Sequence, residues 1–327
     1  MICSGTVSDT LLHDSAMDRA LGAMYGLAIG DALGMPTQEL DRASAVRILG
    51  TPPDFRNGPP ENPISRGLKA GTVTDDTMQC VLIARLLISG NGVIEPRRLA
   101  EALMEWEREM IQRGSTDLLG PSTKRALAAL AEGADPTVTG RTGTTNGAAM
   151  RVTPVGIATR LEPLDRLIAA VVAADHVTHN TDVAHAGAAA VATVVSAGVG
   201  GASLDDALPM AIRSAGLFGF AAVFEKALTV KSSEAVIDEV GTGVEPVQSV
   251  PAAFAVARLS RGDAWHACAM GAALGGDADT IAALAGAMVG ACTGLSGLPP
   301  RAVQRVREVN GLDLEPLAQG LLELRRR

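Results

Sequence analysis

An all-helical fold is what this sequence predicts, and three observations carry the prediction. Apolar residues recur at helical spacing through most regular segments. No stretch alternates with the period of two that a half-buried strand requires. Ala and Gly are abundant, while only 2% of the 327 residues are aromatic. Without large rings, a core has to be filled by backbones brought close together through small residues, which close-packed helices do readily. A sheet would show more β-branched and aromatic runs. The fold class is therefore all-α, a single compact helical bundle. The length allows two domains, but no linker-like stretch interrupts the second half. We expect an N-terminal extension over 1–16 and one domain over 17–327.

The elements follow in order. Asp18 to Leu33 has the periodicity of a first helix. From Gly34 to Val73 the pattern breaks, with Pro36, Pro52, Pro53, Pro59, Pro60 and Pro63 among several Gly. A loop of that length in a compact domain is often functional. Helical patterns resume over 76–87, 96–112 and 121–131. A loop rich in Gly and Thr follows at 135–146, then helical patterns over 163–175, 182–197, 204–215, 250–259, 263–273 and 279–293. Pro299 to Val309 ends on Asn310-Gly311, a helix-stop signal. A last short helix spans Glu315 to Leu324.

Composition narrows the partners. Lys and Arg total 28 and Asp and Glu 36, so the formal net charge is −8. No basic block stands out except the Arg325–Arg327 tail, read as a frayed end, so nucleic-acid binding is not expected. Cys3, Cys80, Cys268 and Cys292 are widely spaced without a CxxC pair, and three lie in apolar helical patterns. A reducing, cytoplasmic setting fits. The first twenty residues lack a basic region and a long apolar region of the secretory kind. Val183 to Gly200 is apolar, but contains His185 and many small residues, and reads as a buried helix of a water-soluble protein rather than a membrane span.

Three polar stretches interrupt apolar helical runs. They are Thr74-Asp75-Asp76-Thr77, Gly275-Gly276-Asp277-Ala278-Asp279-Thr280 and Gly30-Asp31-Ala32-Leu33-Gly34. Asp and Thr cap helix N-termini, and the helix dipole favours carboxylates there. One such residue suffices for a cap. Paired carboxylates with flanking hydroxyls, occurring twice, exceed that need, and adjacent like charges repel unless neutralised. Paired caps and a divalent-cation site both remain open on the residues alone. If a cation is held, oxygen ligands without a Cys or His cluster suit Mg²⁺, Mn²⁺ or Ca²⁺ better than Zn²⁺.

At these residues the chain resembles the ADP-ribosylglycohydrolases, the group that includes the dinitrogenase-reductase-activating glycohydrolases. The resemblance runs from about Asp18 to Leu298. GDALG at 30–34, TDDT at 74–77, NGAAMR at 146–151 and GGDADTIA at 275–282 appear in the family's order, with a shorter Thr178-His179-Asn180 element. The resemblance implies an all-helical hydrolase, a glycosidase holding two Mg²⁺ or Mn²⁺ ions in a cleft. Their protein ligands would be Thr74, Asp75, Asp76, Asp277, Asp279 and Thr280. The ions would hold the ribose hydroxyls and a water while the C1″ glycosidic bond breaks through an oxocarbenium-like state. Asp75, Asp76 and Asp279 are the catalytic carboxylates this implies. Asn146 and Gly147 would contact the ligand near the diphosphate or ribose, and Arg151 and His179 would line or brace the cleft.

Several residues carry a second reading. Asp31 serves equally as a helix end or as support for a site. Arg151 serves equally by pairing with a buried carboxylate. His179 lies three residues after His176, which suggests a separate metal site, although a hydrogen-bonding role is favoured. Many family members carry a Glu at the position held here by Gln38. Gln cannot be a general base, so Glu39 is the candidate and Gln38 a substrate contact. Gly143-Thr144-Thr145 stands where some members have an acidic residue. With one Tyr and five Phe, adenine stacking has few candidates. Phe218, Phe220 and Phe224 form either a cleft rim or a packing cluster. The resemblance implies as substrate an ADP-ribosylated protein or a small ribosyl compound. A hydrolase of smaller N-ribosides, a non-catalytic ADP-ribose-binding module and a purely structural helical domain are the alternatives.

Overall fold

The computed structural model describes residues 5–112 and 119–327, with side chains described from Ser15 onward. It is helical throughout, with no strand among the described residues. Helix α1 (Gly5–Gly34) begins well ahead of Asp18, so most of the stretch read as a loose extension is helical; residues 1–4, Cys3 among them, lie outside the described residues. After α1 come α2 (Arg42–Leu49), α3 (Asp75–Ser89), α4 (Pro96–Gln112), α5 (Pro121–Ala131), and the short α6 (Gly147–Met150) and α7 (Thr153–Ala158). Next are α8 (Leu164–Asp175), α9 (Asp182–Val199), α10 (Leu204–Gly216), α11 (Ala221–Ala227) and a single turn, α12 (Ser233–Ala235). The chain closes with α13 (Ser249–Leu259), α14 (Ala264–Ala272), α15 (Ala278–Thr293), α16 (Pro300–Asn310) and α17 (Glu315–Arg325).

The centre is an antiparallel pair, α1 against α15, and glycine spacing explains it. Gly22, Gly26, Gly30 and Gly34 recur every fourth residue on one face of α1 and meet Gly290, Gly286, Ala282 and Ala278–Asp279 on α15. A methyl group at any of the four would sit inside the backbone of the facing helix. The shortage of aromatic rings and the wealth of small residues are thus two sides of one packing solution. Helix α9 is apolar along its length and almost wholly buried, packed against α7, α8, α10 and α15.

Short elements account for most departures from the expected pattern. Helix α2 lies inside the stretch read as loop. Asp41 caps it, accepting from the Ser44 N–H at 2.9 Å, and only Ala45 and Leu49 are buried, too little apolar pattern to show over eight residues. The rest of that stretch is organised by side-chain amides. Asn62 donates to the Gln38 carbonyl at 2.8 Å and accepts from the Ile64 and Ser65 N–H groups. Asn310, at the stop signal of α16, accepts from the Val73 N–H at 3.0 Å and so pins the approach to Thr74. Gly311 beside it is left-handed, as a helix stop requires. Arg325 is not a frayed end. Its guanidinium donates to the Thr159 carbonyl at 2.6 Å and the Ser196 carbonyl at 2.8 Å, and burial pulls its pKa down to about 10. Cys80, Cys268 and Cys292 are buried free thiols.

Candidate active site

Helix α1 holds two helix N-termini against one cleft. Near its C-terminal end Asp31 is fully buried, and its carboxylate accepts from both the N–H and the hydroxyl of Thr74 and both the N–H and the hydroxyl of Thr77. That is why Thr74, the N-cap of α3, makes no cap with its own side chain: its hydroxyl is on Asp31. Burial pushes the Asp31 acid up to about 6, and the four donors pull against it. The start of α15 is held differently. Gly34 touches its first turn, Gly275 and Gly276 adopt left-handed φ of 77° and 64°, and the backbone does the rest. Gly276 N–H donates to Leu40 at 2.8 Å, Glu39 N–H to Gly276 at 2.7 Å and Asp277 N–H to Thr242 at 2.7 Å.

Between these starts lies a cavity of about 240 Å³ lined by Asp75, Asp76, Asp277, Asp279 and Thr280, by Gln38 and Glu39, and by Thr145, Asn146 and Gly147. Residues 119–124, leading into α5, form much of another wall. The two acidic motifs touch: the Thr280 hydroxyl donates to Asp76 Oδ2 at 3.3 Å, and the Thr74 hydroxyl approaches the same oxygen at 3.5 Å. Asp76 Oδ1 and Asp279 Oδ1 are buried with no hydrogen-bond partner at all. Burial first, then the neighbouring carboxylates, raise the acids of Asp76 and Asp279 well above the ordinary range. Asp75 is raised by burial and then by Asp31 and Asp277, with Lys124 lowering it. Asp277 is pushed up to about 6 by burial, against a hydrogen bond from Asn146 and with Glu39 adding to the rise. Anionic carboxylates gathered this closely ask for a cation, and the donors are all oxygen. Among the described residues, no three acidic, imidazole or thiol groups converge into a finished cage; the carboxylates are spread around the cleft they line.

The remaining candidates fall into place around this cleft. Gln38 is buried in the wall and Glu39 stands exposed at the rim with a left-handed φ of 61°. Asn146 donates to Ser249 Oγ at 2.8 Å and to Asp277, so it braces the second motif as well as lining the cavity. Arg151 and His179 are fully buried behind the cleft and brace it from there. Arg151 lies beside the buried Asp175, whose oxygens have no hydrogen-bond partner; burial raises that acid, and Arg151 opposes the rise. His179 bonds Thr178 and Thr145, and no His-containing metal cluster exists among the described residues. Phe224 packs edge-on against Phe254 at 5.0 Å and Phe218 against His185 at 5.5 Å; the cluster is packing, not rim. Gln79 is a residue the sequence reading missed. It donates to Asp75 Oδ2 at 3.2 Å and accepts from Arg151 at 3.1 Å, and its spacing four residues after Asp75 on one helix face was the available signal.

Comparison with known proteins identifies the family and the fold. The family profile described as ADP-ribosylglycohydrolase matches residues 12–327. The chain is 33% identical to the uncharacterized protein YegU of Escherichia coli (strain K12), over 94% of this chain and 97% of that one. It is 32% identical to the ADP-ribosylarginine hydrolase Tri1 of Pseudomonas putida (strain GB-1), over 91% and 76%. A solved structure titled ADP-ribosylglycohydrolase-related protein complex superposes with a TM-score of 0.72 at 26% identity, covering 95% of this chain and 99% of that one. With all four motifs gathered where α1, α3 and α15 meet, this chain belongs to the ADP-ribosylglycohydrolase family of glycosidase-type hydrolases.

Proposed function

We propose that this protein hydrolyses the C1″ glycosidic bond of an ADP-ribosylated protein or small molecule, with two Mg²⁺ or Mn²⁺ ions held between the starts of α3 and α15. The observation that carries this is the pair of buried, unpartnered oxygens, Asp76 Oδ1 and Asp279 Oδ1, on two residues that line one cavity. Leaving such groups unsatisfied is costly, and a divalent ion satisfies both. Thr74, Asp75, Asp76, Asp277, Asp279 and Thr280 would hold the ions. When bound, the ions supply a Lewis acid that lowers the pKa of a water and steadies developing charge. The protein's own side chains do the rest. Asp31 fixes the first motif and Asn146 orients Asp277. Asn146 and Gly147 offer a wall to the ribose. Glu39 stands at the rim, where a carboxylate can take a proton from water or pass one to the leaving group. The buried free thiols favour a cytoplasmic home.

The test is product release from ADP-ribosyl-arginine, ADP-ribosyl-serine and simple N-ribosides, with Mg²⁺ and with chelator. Chelator-sensitive release that is lost in Asp279→Ala, with the variant still folded, supports the proposal. Full activity of Asp279→Ala would overturn it. A second reading rests on the cavity itself. About 240 Å³ is below the ~300–1,000 Å³ of most small-molecule sites, and no aromatic ring lines it among the described residues. It would enclose a ribosyl group rather than stack an adenine, so release from N-ribosides alone would favour a smaller substrate. A binding module without turnover would show ADP-ribose affinity and no product across the panel.

A further inference from the structure

We propose that Thr145 is a hydrogen-bond donor aimed into the cleft, its polarity set by a buried relay from Arg151, and that it selects ligands presenting an oxygen acceptor there. The relay begins with a group that can only donate. The Arg151 guanidinium has no acceptor, and its Nη2 donates to the Thr178 hydroxyl at 2.7 Å and to the Ala174 carbonyl at 3.0 Å. Thr178 is fully buried, and its hydroxyl has one proton of its own to place. Among the described residues, the one other partner of that hydroxyl is Nδ1 of His179, at 2.7 Å. Thr178 therefore donates to Nδ1, and Nδ1 carries a lone pair.

The imidazole proton must then sit on Nε2. Burial holds the ring in its neutral form, and the Arg151 charge acts in the same direction. Nε2 lies 3.0 Å from the Thr145 hydroxyl, so His179 donates and Thr145 accepts. Among the described residues the Thr145 proton has no acceptor, and the residue lines the cleft. Reversing the relay would strand the Thr178 proton in a fully buried site, a penalty the forward direction avoids. Turning the ring over would set carbon atoms against two hydroxyls. A side chain at Gly147 would also meet the ring at 2.7 Å, so the 145–147 turn and the imidazole form one unit.

Arg151 sets the opposite wall by the same logic. Its Nη1 donates to Gln79 Oε1, which leaves the Gln79 amide nitrogen to donate to Asp75. One buried cation thus keeps Asp75 an acceptor on one wall and Thr145 a donor on the other. The matching ligand group is a phosphoryl, hydroxyl or carbonyl oxygen; its assignment to a ribosyl ligand rests on the function proposed above, whereas the direction of the relay does not.

Two measurements decide it. In ¹⁵N NMR, His179 should be the Nε2–H tautomer, and an Nδ1–H tautomer would overturn the relay. In calorimetric titration with ADP-ribose, Thr145→Val, which keeps the shape and deletes the donor, should bind about tenfold more weakly, while Thr145→Ser stays within about twofold. Mn²⁺ affinity should be unchanged in both variants. Equal ADP-ribose affinity for wild type and Thr145→Val would overturn the donor role. If wild type fails to bind ADP-ribose, the ADP-ribosyl reading falls instead, and the His179 tautomer still decides the relay.

Discussion

The two acidic helix starts look alike in sequence and are anchored in opposite ways. At α3, one buried carboxylate does the work: Asp31 accepts from two N–H groups and two hydroxyls of Thr74 and Thr77. At α15, no buried carboxylate plays that part among the described residues, and the one side-chain brace is Asn146 on the Asp277 carboxylate. The first turn is placed by Gly34 against Asp279, by left-handed Gly275 and Gly276, and by backbone bonds to Leu40 and Thr242. The first anchor is chemical and the second is steric. A polar substitution should therefore break one and a methyl group the other.

The largest effect is expected from the steric anchor. A Cβ at Gly30 falls onto the Ala282 backbone and 2.6 Å from Ala283 N. Backbone cannot rotate away as a side chain can. Gly30→Val should cost about 3 kcal/mol or more, at or beyond the upper end of ordinary overpacking. Gly120→Ala, with nothing among the described residues within 4 Å of the added methyl, is the control and should stay within ~0.5 kcal/mol. Urea midpoints measure both, and equal midpoints would dismiss the steric anchor.

Next in size is the chemical anchor. Asp31→Ala strands the Thr74 and Thr77 N–H groups in a buried site, each worth about 1–3 kcal/mol if left without a partner. Turnover should fall about 10- to 100-fold through displaced ligands, with Mn²⁺ affinity falling in parallel. Loss of turnover with unchanged Mn²⁺ affinity would mean that Asp31 acts on something other than the ligand geometry.

The carboxylates themselves should behave the other way. The Asp31 acid rises from 3.8 to about 6 on folding, and burial and mutual repulsion raise Asp76 and Asp279 well above the ordinary range too. Between the two Asp31 values the folded protein keeps a proton that the unfolded chain has released. Stability of the metal-free protein should therefore fall as pH rises through that window and stay lower above it. Mn²⁺ should raise the Tm more at pH 7.5 than at pH 5.5. Asp76→Asn should abolish turnover while leaving the metal-free protein at least as stable at pH 7.5. A lower Tm for that variant would show the carboxylate to be structural.

How much of this the residues reveal on their own depends on the range of each interaction. The long helices were legible because a repeating apolar face is local, and the acidic pairs because they exceed what capping needs. Helices α2, α6 and α7 were not, since four to eight residues hold too few turns to show a period. The every-fourth glycines of α1 were visible as composition, yet their role depends on α15, some 250 residues away in the chain. Asp31 could be read only as a helix end or a support, because its four donors arrive from a separate segment. Arg325 looked like a tail because nothing near it in sequence names Thr159 and Ser196 as its acceptors.

The smallest effect tests where the two anchors meet the chemistry. Glu39 holds a left-handed φ of 61° while its N–H is tied to Gly276. A residue with a Cβ is strained in that conformation, and glycine is not. Glu39→Gly should therefore gain up to about 1 kcal/mol in stability. If the carboxylate moves a proton in the reaction, kcat should fall in Glu39→Gly and in Glu39→Gln alike, with Mn²⁺ affinity held. The pH–rate profile should lose its acidic limb in both. Were both variants fully active, the strained backbone would be explained by its clasp on Gly276 alone, and the proton would have to travel through the cleft acids.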